Sequence, residues 1–399
     1  MILKLIKSPI IRARKASREI MNSRDIKRRL SNRSEENINS RLVLENVSQE
    51  VLRFLDSRKC PVSEFQFFYS ESTTEPTLYA SSYACMTLSL LDKFVDYDLL
   101  VKKQWAQYLN SFQNKSDGIF YDPVIQSDLF LEADWWGRRH LTTHMISTLT
   151  SLGYKTKYPL GFLENYYTKT GIKNWLDQFN WDGKEIGFSD VDNAIMNVGC
   201  LLQYQRDAWA SREAGEALKY LKCYLRSKIN IEHGMWGIFD VKKPTQRSRL
   251  VQFAYHLFLI FFYDKEYDFD VNKIIDIVLK TQNEFGGYGV MSNSSACEDI
   301  DSVDLLIRLY PYASEKNKEK IDQSLLKAFN WVLLNQVPDG GFVFRLNEPF
   351  VYGHRQTSSL KNEGAMLPTW FRVLCIVYIA KHFKYDAGFN ITPCPGYEF

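Results

Sequence analysis

Apolar residues along this chain recur at intervals of three and four, a period that predicts helices over most of its length. Two kinds of helical segment alternate. An outer set is expected over 46–57, 97–113, 163–179, 211–228, 271–283 and 318–336. An inner set, polar at its start and apolar beyond, is expected over 77–93, 137–152, 190–204, 247–263, 299–310 and 364–383. Leu250 to Tyr263 is apolar on every face, the pattern of a helix covered all round. No alternating Val/Ile/Thr-rich run of strand length stands out.

Residues 278–310 show how neighbouring helices are joined. A helix is expected to end near Gln282, and Gly286 and Gly287 to break it, because glycine takes positive φ without strain. The next helix opens with Glu298, Asp299 and Asp301 and turns apolar at Leu305, Leu306, Ile307 and Leu309. Acids in a first turn suit the positive end of the helix dipole. The unit recurs. Gln336, Gly340, Gly341 and Phe342 repeat Gln282, Gly286, Gly287 and Tyr288. Gln113 precedes Gly118, with Phe120 following, and Gln178 precedes Gly183, with Trp181 between. Gly234, Trp236, Gly237 and Phe239 form a degenerate copy without the glutamine. Copies lie about 50–65 residues apart, the range of helical arrays.

Six helical hairpins closing on themselves give an all-α fold, an (α/α)6 toroid with one ring of helices inside another. An open solenoid of the same hairpins is the competing arrangement. The apolar Leu250–Tyr263 segment favours closure, since an inner ring is covered on both sides. The expected division is a basic N-terminal extension over 1–43, the toroid over 44–385 and an irregular tail over 386–399.

Composition narrows the function. The 399 residues are 45% hydrophobic and 15% aromatic, enough for a sizeable core. A net charge of only +3 argues against nucleic acid as a partner. Seven scattered cysteines with no CxxC point to reduced thiols in a cytoplasmic setting. No apolar run reaches transmembrane length, and the N-terminus lacks the features of a signal peptide. Residues 1–33 carry eleven Lys and Arg against two acids, interleaved with Ile2, Leu3, Leu5, Ile6, Ile10 and Ile11. They suit a solvated tail first and a peripheral anchor on an anionic membrane surface second.

The openings of the inner helices hold the candidate chemistry. Glu132, Asp134, Trp135, Trp136, Arg138, Arg139 and His140 form the densest cluster. Asp190 and Asp192 repeat the Asp-x-Asp spacing of Asp299 and Asp301, and Arg247, Arg249, Glu363, Trp370 and Arg372 add to them. In a toroid all converge on one mouth, where a small-molecule substrate would bind. Helix caps and surface charges account for each residue singly, but less well for the convergence. Trp135, Trp136, Tyr255, Tyr288, Phe342 and Trp370 are either core or the wall of a cavity able to stabilise cations. His140 and His144 are an i,i+4 pair without the HExxH order of a zinc site, so no metal is expected. No phosphate loop, dinucleotide fingerprint or Gly-x-Ser-x-Gly elbow occurs, and no cofactor is expected.

The run Gln-x-x-x-Gly-x-aromatic at Gln282–Tyr288 and Gln336–Phe342 resembles the QW repeat of the terpene cyclases, which are α/α toroids like the related protein prenyltransferase β subunits. Gly286-Gly-Tyr-Gly-Val followed eight residues later by Asp299-Ile-Asp-Ser resembles the cyclase Gly-Gly-Trp-Ala-Phe and Asp-Val-Asp-Asp. Gly364-Ala-Met-Leu-Pro-Thr-Trp-Phe looks like the cyclase Gly-Thr-Gly-Phe-Pro-x-x-Phe. The chain departs from the family in three ways. The repeat tryptophan is Tyr or Phe, Ser302 stands where the third acid would be, and there is room for one toroid where triterpene cyclases have two. The zinc ligands of prenyltransferases and the Asp-Asp-x-x-Asp of class I synthases have no counterpart.

The resemblance implies a class II reaction, in which the middle acid protonates a terminal alkene or epoxide of an isoprenoid. That role falls on Asp301, with Asp299 in support and Glu298 or Asp304 placed to share the proton. A shared fold does not fix the chemistry. Many α/α toroids cleave glycosidic bonds, and Asp134 paired with Asp192 or Asp301 would supply an acid and a base for a charged sugar. A toroid that only binds a ligand or partner is the third reading.

Overall fold

The computed structural model describes residues 21–30, 41–125, 130–181, 190–385 and 387–397. Between 41 and 382, two sets of six α-helices alternate among the described residues. The outer set is α1 (Arg41–Ser57), α3 (Leu99–Asn110), α5 (Lys169–Leu176), α7 (Arg212–Ser227), α9 (Val271–Leu279) and α11 (Glu315–Leu334). The inner set is α2 (Leu78–Leu90), α4 (Arg138–Ser151), α6 (Val191–Trp209), α8 (Pro244–Tyr263), α10 (Ala296–Leu309) and α12 (Met366–His382).

Burial separates the two sets as the periodicity does. Outer α7 buries the stripe Ala214, Ala217, Leu218, Leu221 and Leu225 and leaves its other face to solvent. Inner α2 buries every residue, and α12 every residue from Met366 to Ala380. Each inner helix packs on the next in the order α2, α4, α6, α8, α10, α12, and α12 packs on α2. That last contact closes the circuit and rules out the open solenoid.

The recurring turn is what joins the outer ring. Gln282 Nε2 donates to the Gly286 carbonyl and to Ser324 O on α11, both at 2.8 Å. Gln336 and Gln113 make the same bond to Gly340 O at 3.0 Å and to Gly118 O at 2.9 Å. In each copy the backbone of the glutamine pairs with that of the aromatic residue, Phe120, Tyr288 or Phe342. Asn230 takes the glutamine's place in the degenerate copy, pairing with Met235. Gly183, of the copy after Gln178, lies outside the described residues. Gly286 (φ +99°) and Gly340 (φ +93°) approach the next outer helix so closely that a Cβ would stand 2.3 Å from Lys327 O or 2.1 Å from Glu50 O. The Gly286 turn thus docks on α11 and the Gly340 turn on α1, whereas the Gly118 turn meets the loop at Pro159 and Leu160.

Two short antiparallel hairpins interrupt the helices, where the sequence suggested no strand. One pairs β1 (Lys59–Cys60) with β2 (Ser63–Phe67), the other β3 (Phe350–Tyr352) with β4 (His354–Ser359). The second covers the ring's mouth, with Tyr352 Oη donating to Trp135 O at 2.8 Å.

The tail described over 387–397 is irregular and belongs to the ring's interior. Asn390 N bonds Leu90 O at the far end of α2, 3.0 Å away. Cys394 Sγ reaches Ser147 Oγ on α4 at 3.5 Å. The Tyr397 ring then lies among His144, Tyr255, Trp370 and Phe371. The segment enters from the end opposite the mouth.

Of the basic extension, residues 21–30 are helical, with Ile26 buried and Asp25 accepting from Asn347 Nδ2 at 3.0 Å. The rest of the expected membrane anchor, 1–20 and 31–33, lies outside the described residues. Among the described residues no helix is long and apolar enough to cross a membrane.

Candidate active site

The acids opening α10 have different surroundings. Asp299 is fully buried and accepts hydrogen bonds from Tyr288 N (2.8 Å), Ser294 Oγ (2.9 Å) and Trp331 Nε1 (2.8 Å), besides an ion pair with the fully buried Arg372. Burial pushes its carboxyl above the usual range, while Arg372 and these donors pull it back. Its contacts tie the Gly-rich turn to α10 and α11. Glu298 closes a capping box with Ser295 and pairs with Arg345 at 2.8 Å. Asp304 accepts from Tyr255 Oη at 2.8 Å and pairs with Arg308. Ser302 Oγ bonds back to Glu298 O at 2.9 Å.

Asp301 differs from all of these. It is 3% exposed, and among the described residues its carboxyl has neither ion pair nor hydrogen bond. Burial pushes it well above the usual carboxylate range, Asp192, Glu298 and Asp304 add to the rise, and Arg249 opposes it. The neutral acid is therefore favoured.

Beside it stands the opposite electrostatic case. Asp192 of α6 accepts two hydrogen bonds from Arg249 of α8, at 2.8 and 3.0 Å, and one from His256 Nδ1 at 2.9 Å. Burial alone would raise its pKa, but His256 and Arg249 outweigh that and hold the carboxyl below the usual range. Asp190 stands 3.7 Å from Arg249. Arg247, two residues nearer the mouth, donates instead to Val241 O at 3.0 Å.

Just before α4, Asp134 holds Arg139 of its first turn through two bonds of 2.7 and 2.8 Å. Glu132 pairs with Arg138 at 2.9 Å, and Arg138 lies over the Tyr121 ring. Trp135 packs on Phe130 and Tyr352, and Trp136 stacks on Tyr79. His140 Nδ1 is 2.8 Å from Tyr79 Oη, and His140 Nε2 is 3.3 Å from His144 Nε2. Burial lowers both histidines, His144 to about 3. Trp370 of α12 stacks on Tyr83 and meets the edge of His144.

The ring's interior therefore gathers Asp301, Asp192, Arg249, His140, Trp370 and Tyr255 from the residues marked by the sequence. Glu132, Arg138, Arg247 and Glu363 stay at the rim, where Glu363 binds Ser72. Asp299, Arg372 and Glu298 brace α10. Tyr288, bonded to Ser324, and Phe342 pack within the turns. His144, His256, Tyr79, Tyr83, Tyr352 and Tyr397 complete the interior without having been singled out for it. The i,i+4 spacing of His140 and His144 on an inner helix was a usable signal for His144. Nothing local marks Tyr352 or Tyr397, whose places depend on a hairpin and a tail folding back.

No protein-family model and no curated protein matches the chain. Solved structures do match its fold. A D-mannose isomerase is similar at 14% identity and a TM-score of 0.52, over 87% of this chain and 99% of that one. An unsaturated glucuronyl hydrolase specific for heparin is similar at 9% and 0.51, over 86% and 98%. A variant of the type II terpene cyclase MstE from Scytonema, in complex with its substrate geranylgeranyl dihydroxybenzoate, is similar at 12% and 0.48, over 85% and 98%. At such identities the likeness to the isomerase and the hydrolase establishes the α/α toroid and leaves the chemistry to the site.

Proposed function

We propose that this toroid is a class II terpene-cyclase-like enzyme that starts the cyclisation of an isoprenoid by protonating a terminal alkene or epoxide from Asp301. The observation that carries the reading is the state of Asp301: buried, without ion pair or hydrogen bond among the described residues, and pushed toward its neutral form inside the ring. An alkene is a poor base, so its proton donor must stay neutral until reaction and then bear a negative charge. Burial supplies the first condition, and Arg249, whose charge reaches Asp301, favours the second. Tyr79, Tyr83, Tyr255, Trp370 and Tyr397 would then offer π faces to the cation that moves along the substrate. The hairpin over the mouth and the tail behind would keep water away.

The carbohydrate reading is less well supported. It needs a carboxylate free to activate water, and Asp134 and Asp192 each have both oxygens engaged by an arginine.

The test is mass-spectrometric turnover of linear isoprenoids and their epoxides. Asp301→Asn keeps size and removes the acid, so product formation is expected to fall by about 10²–10⁴-fold with ligand binding retained. A variant as fast as the parent would remove Asp301 from the role. A parent inert on isoprenoids that cleaves an acidic oligosaccharide would put the second reading in place of the first.

A further inference from the structure

Asp301 can protonate only what lies against it, and close to it in the ring lies a part of the same chain. Cys394, Pro395, Gly396 and Tyr397 are buried, whereas Pro393 just before them is exposed. These residues form a tip inserted from the end opposite the mouth. Gly396 lies against Thr143 of α4 and Cys200 of α6. The Tyr397 ring stacks on His144 and meets Trp370 edge-on. It is near enough to Asp301 for that charge to add to burial in pushing the phenol up. The reacting end of a substrate held between Asp301 and these rings needs the volume that Tyr397 fills.

The tip can leave without breaking a helix or a strand. Neither forms over 387–397, and Pro393 and Pro395 have no N–H to give to one. The firm tie is at the base of the segment, from Asn390 N to Leu90 O at 3.0 Å. Farther in, Thr392 and Ser89 hydroxyls stand 3.4 Å apart, long for such a bond, and the Cys394 thiol, a weak donor, reaches Ser147 Oγ at 3.5 Å. Seating the tip also has a cost. His144 Nδ1, in a residue 1% exposed beside the Tyr397 ring, has no partner among the described residues. Four extended residues span at most about 14 Å. Withdrawal is thus a short movement that leaves the base on Leu90 and the far end of the ring covered.

We propose that residues 394–397 are a self-inhibitory plug, which holds the substrate's place beside Asp301 and withdraws when a linear isoprenoid enters from the mouth. The identity of the ligand rests on the cyclase reading, whereas the mobility of the plug does not. Displacement is favourable because an isoprenoid chain covers the same aromatic faces and buries more apolar surface than one tyrosine side chain. Until it arrives, the seated plug keeps water from Asp301. Binding and withdrawal are linked, so whatever holds the plug in weakens binding, and a bound ligand holds the plug out by the same factor.

Cysteine chemistry on the full-length protein supplies the test. Cys85 of α2, Cys375 of α12 and Cys394 are all buried. In the free protein under native conditions, iodoacetamide should label Cys394 at least about 10-fold faster than Cys85 and Cys375, read peptide by peptide in a mass spectrometer, because local withdrawal is more frequent than global opening. Equal rates would mean that the tip leaves only when the ring unfolds, and would overturn the plug whatever the chemistry of the site. Saturating geranylgeraniol should speed the labelling of Cys394 further. Slower labelling would mean that the ligand binds with the plug seated, which also overturns it. Ser147→Cys, placed against Cys394, adds a lock. With the 147–394 disulfide confirmed by peptide mapping, the oxidised variant should bind geranylgeraniol at least about 10-fold more weakly than the same variant reduced. Equal binding by the two forms would reject the plug and leave the role of Asp301 untouched. A parent that binds no linear isoprenoid rejects the cyclase reading and the isoprenoid as displacing ligand, while labelling of the free protein still decides whether the tip withdraws.

Discussion

Asp299 and Asp301 are two positions apart on one helix, so their side chains point about 200° apart around its axis. Asp299 turns outward to Trp331 on α11 and to Arg372 on α12, and Asp301 turns into the ring. Their substitution by asparagine should therefore have opposite effects on stability. Asp299→Asn leaves the fully buried Arg372 without its counter-charge, a loss of about 3–5 kcal/mol that a denaturant titration would read. Asp301→Asn removes a group whose folded pKa is raised. Such a group contributes its full stability below its unfolded pKa, near 4, and loses it as pH climbs toward the folded value. The Tm of Asp301→Asn relative to the parent should accordingly rise from pH 4 to pH 7. A difference that stays flat or falls would mean that Asp301 is ionised in the folded protein. Spacing and helix-start position do not distinguish the two acids, and only the family resemblance gave them different roles. What separates them is Trp331 and Arg372, brought in by later helices. Glu298 was read only as an acid placed to share the proton, although Ser295-x-x-Glu298 carries the local signature of the capping box that the structure shows.

At the scale of elements, the helices were legible because each buries a stripe or a whole cylinder, and that shows directly as a period. All six pairs fall where the pattern put them. The one marked shortening is at 163–179, where a 3-10 turn over Gly161–Tyr166 precedes α5. The β3–β4 hairpin was not legible. Its second strand, His354–Ser359, is polar, and Gln356 holds it to Thr74 and Glu75 from the other end of the chain. The Gly-rich turn was visible as a repeat, but its docking partner was not. That docking can be measured with two glycines of similar φ. Gly153 (φ +82°) has open space where a Cβ would stand, whereas Gly286 (φ +99°) has Lys327 O. Gly153→Ala should cost about 1 kcal/mol, the price of the left-handed backbone alone. Gly286→Ala should cost at least about 1–3 kcal/mol more, because α11 must shift away from the turn. Equal losses in a thermal or denaturant melt would mean that the turn does not brace the outer ring.

At the scale of the whole molecule, two closures shape the chamber, and only one was legible. The contact of α12 with α2 follows from six pairs and an apolar inner helix. The return of 387–397 into the ring does not, since a short irregular stretch has no period to show which surface covers it. Its seating nonetheless follows ordinary packing rules. Tyr397 is 4% exposed and meets the rings of His144, Tyr255, Trp370 and Phe371, side chains from three inner helices. Tyr397→Ala should leave an aromatic-sized hole there and cost about 3–5 kcal/mol, as truncating a buried aromatic does. A hole lined by aromatic rings should accept a small aromatic from solution. Adding p-cresol, the tyrosine side chain without its backbone, should raise the Tm of Tyr397→Ala in proportion to its binding and leave the parent unmoved. If Tyr397→Ala melts with the parent and p-cresol shifts neither protein, the tail is not seated in the ring, and the floor of the chamber has to be sought among other residues.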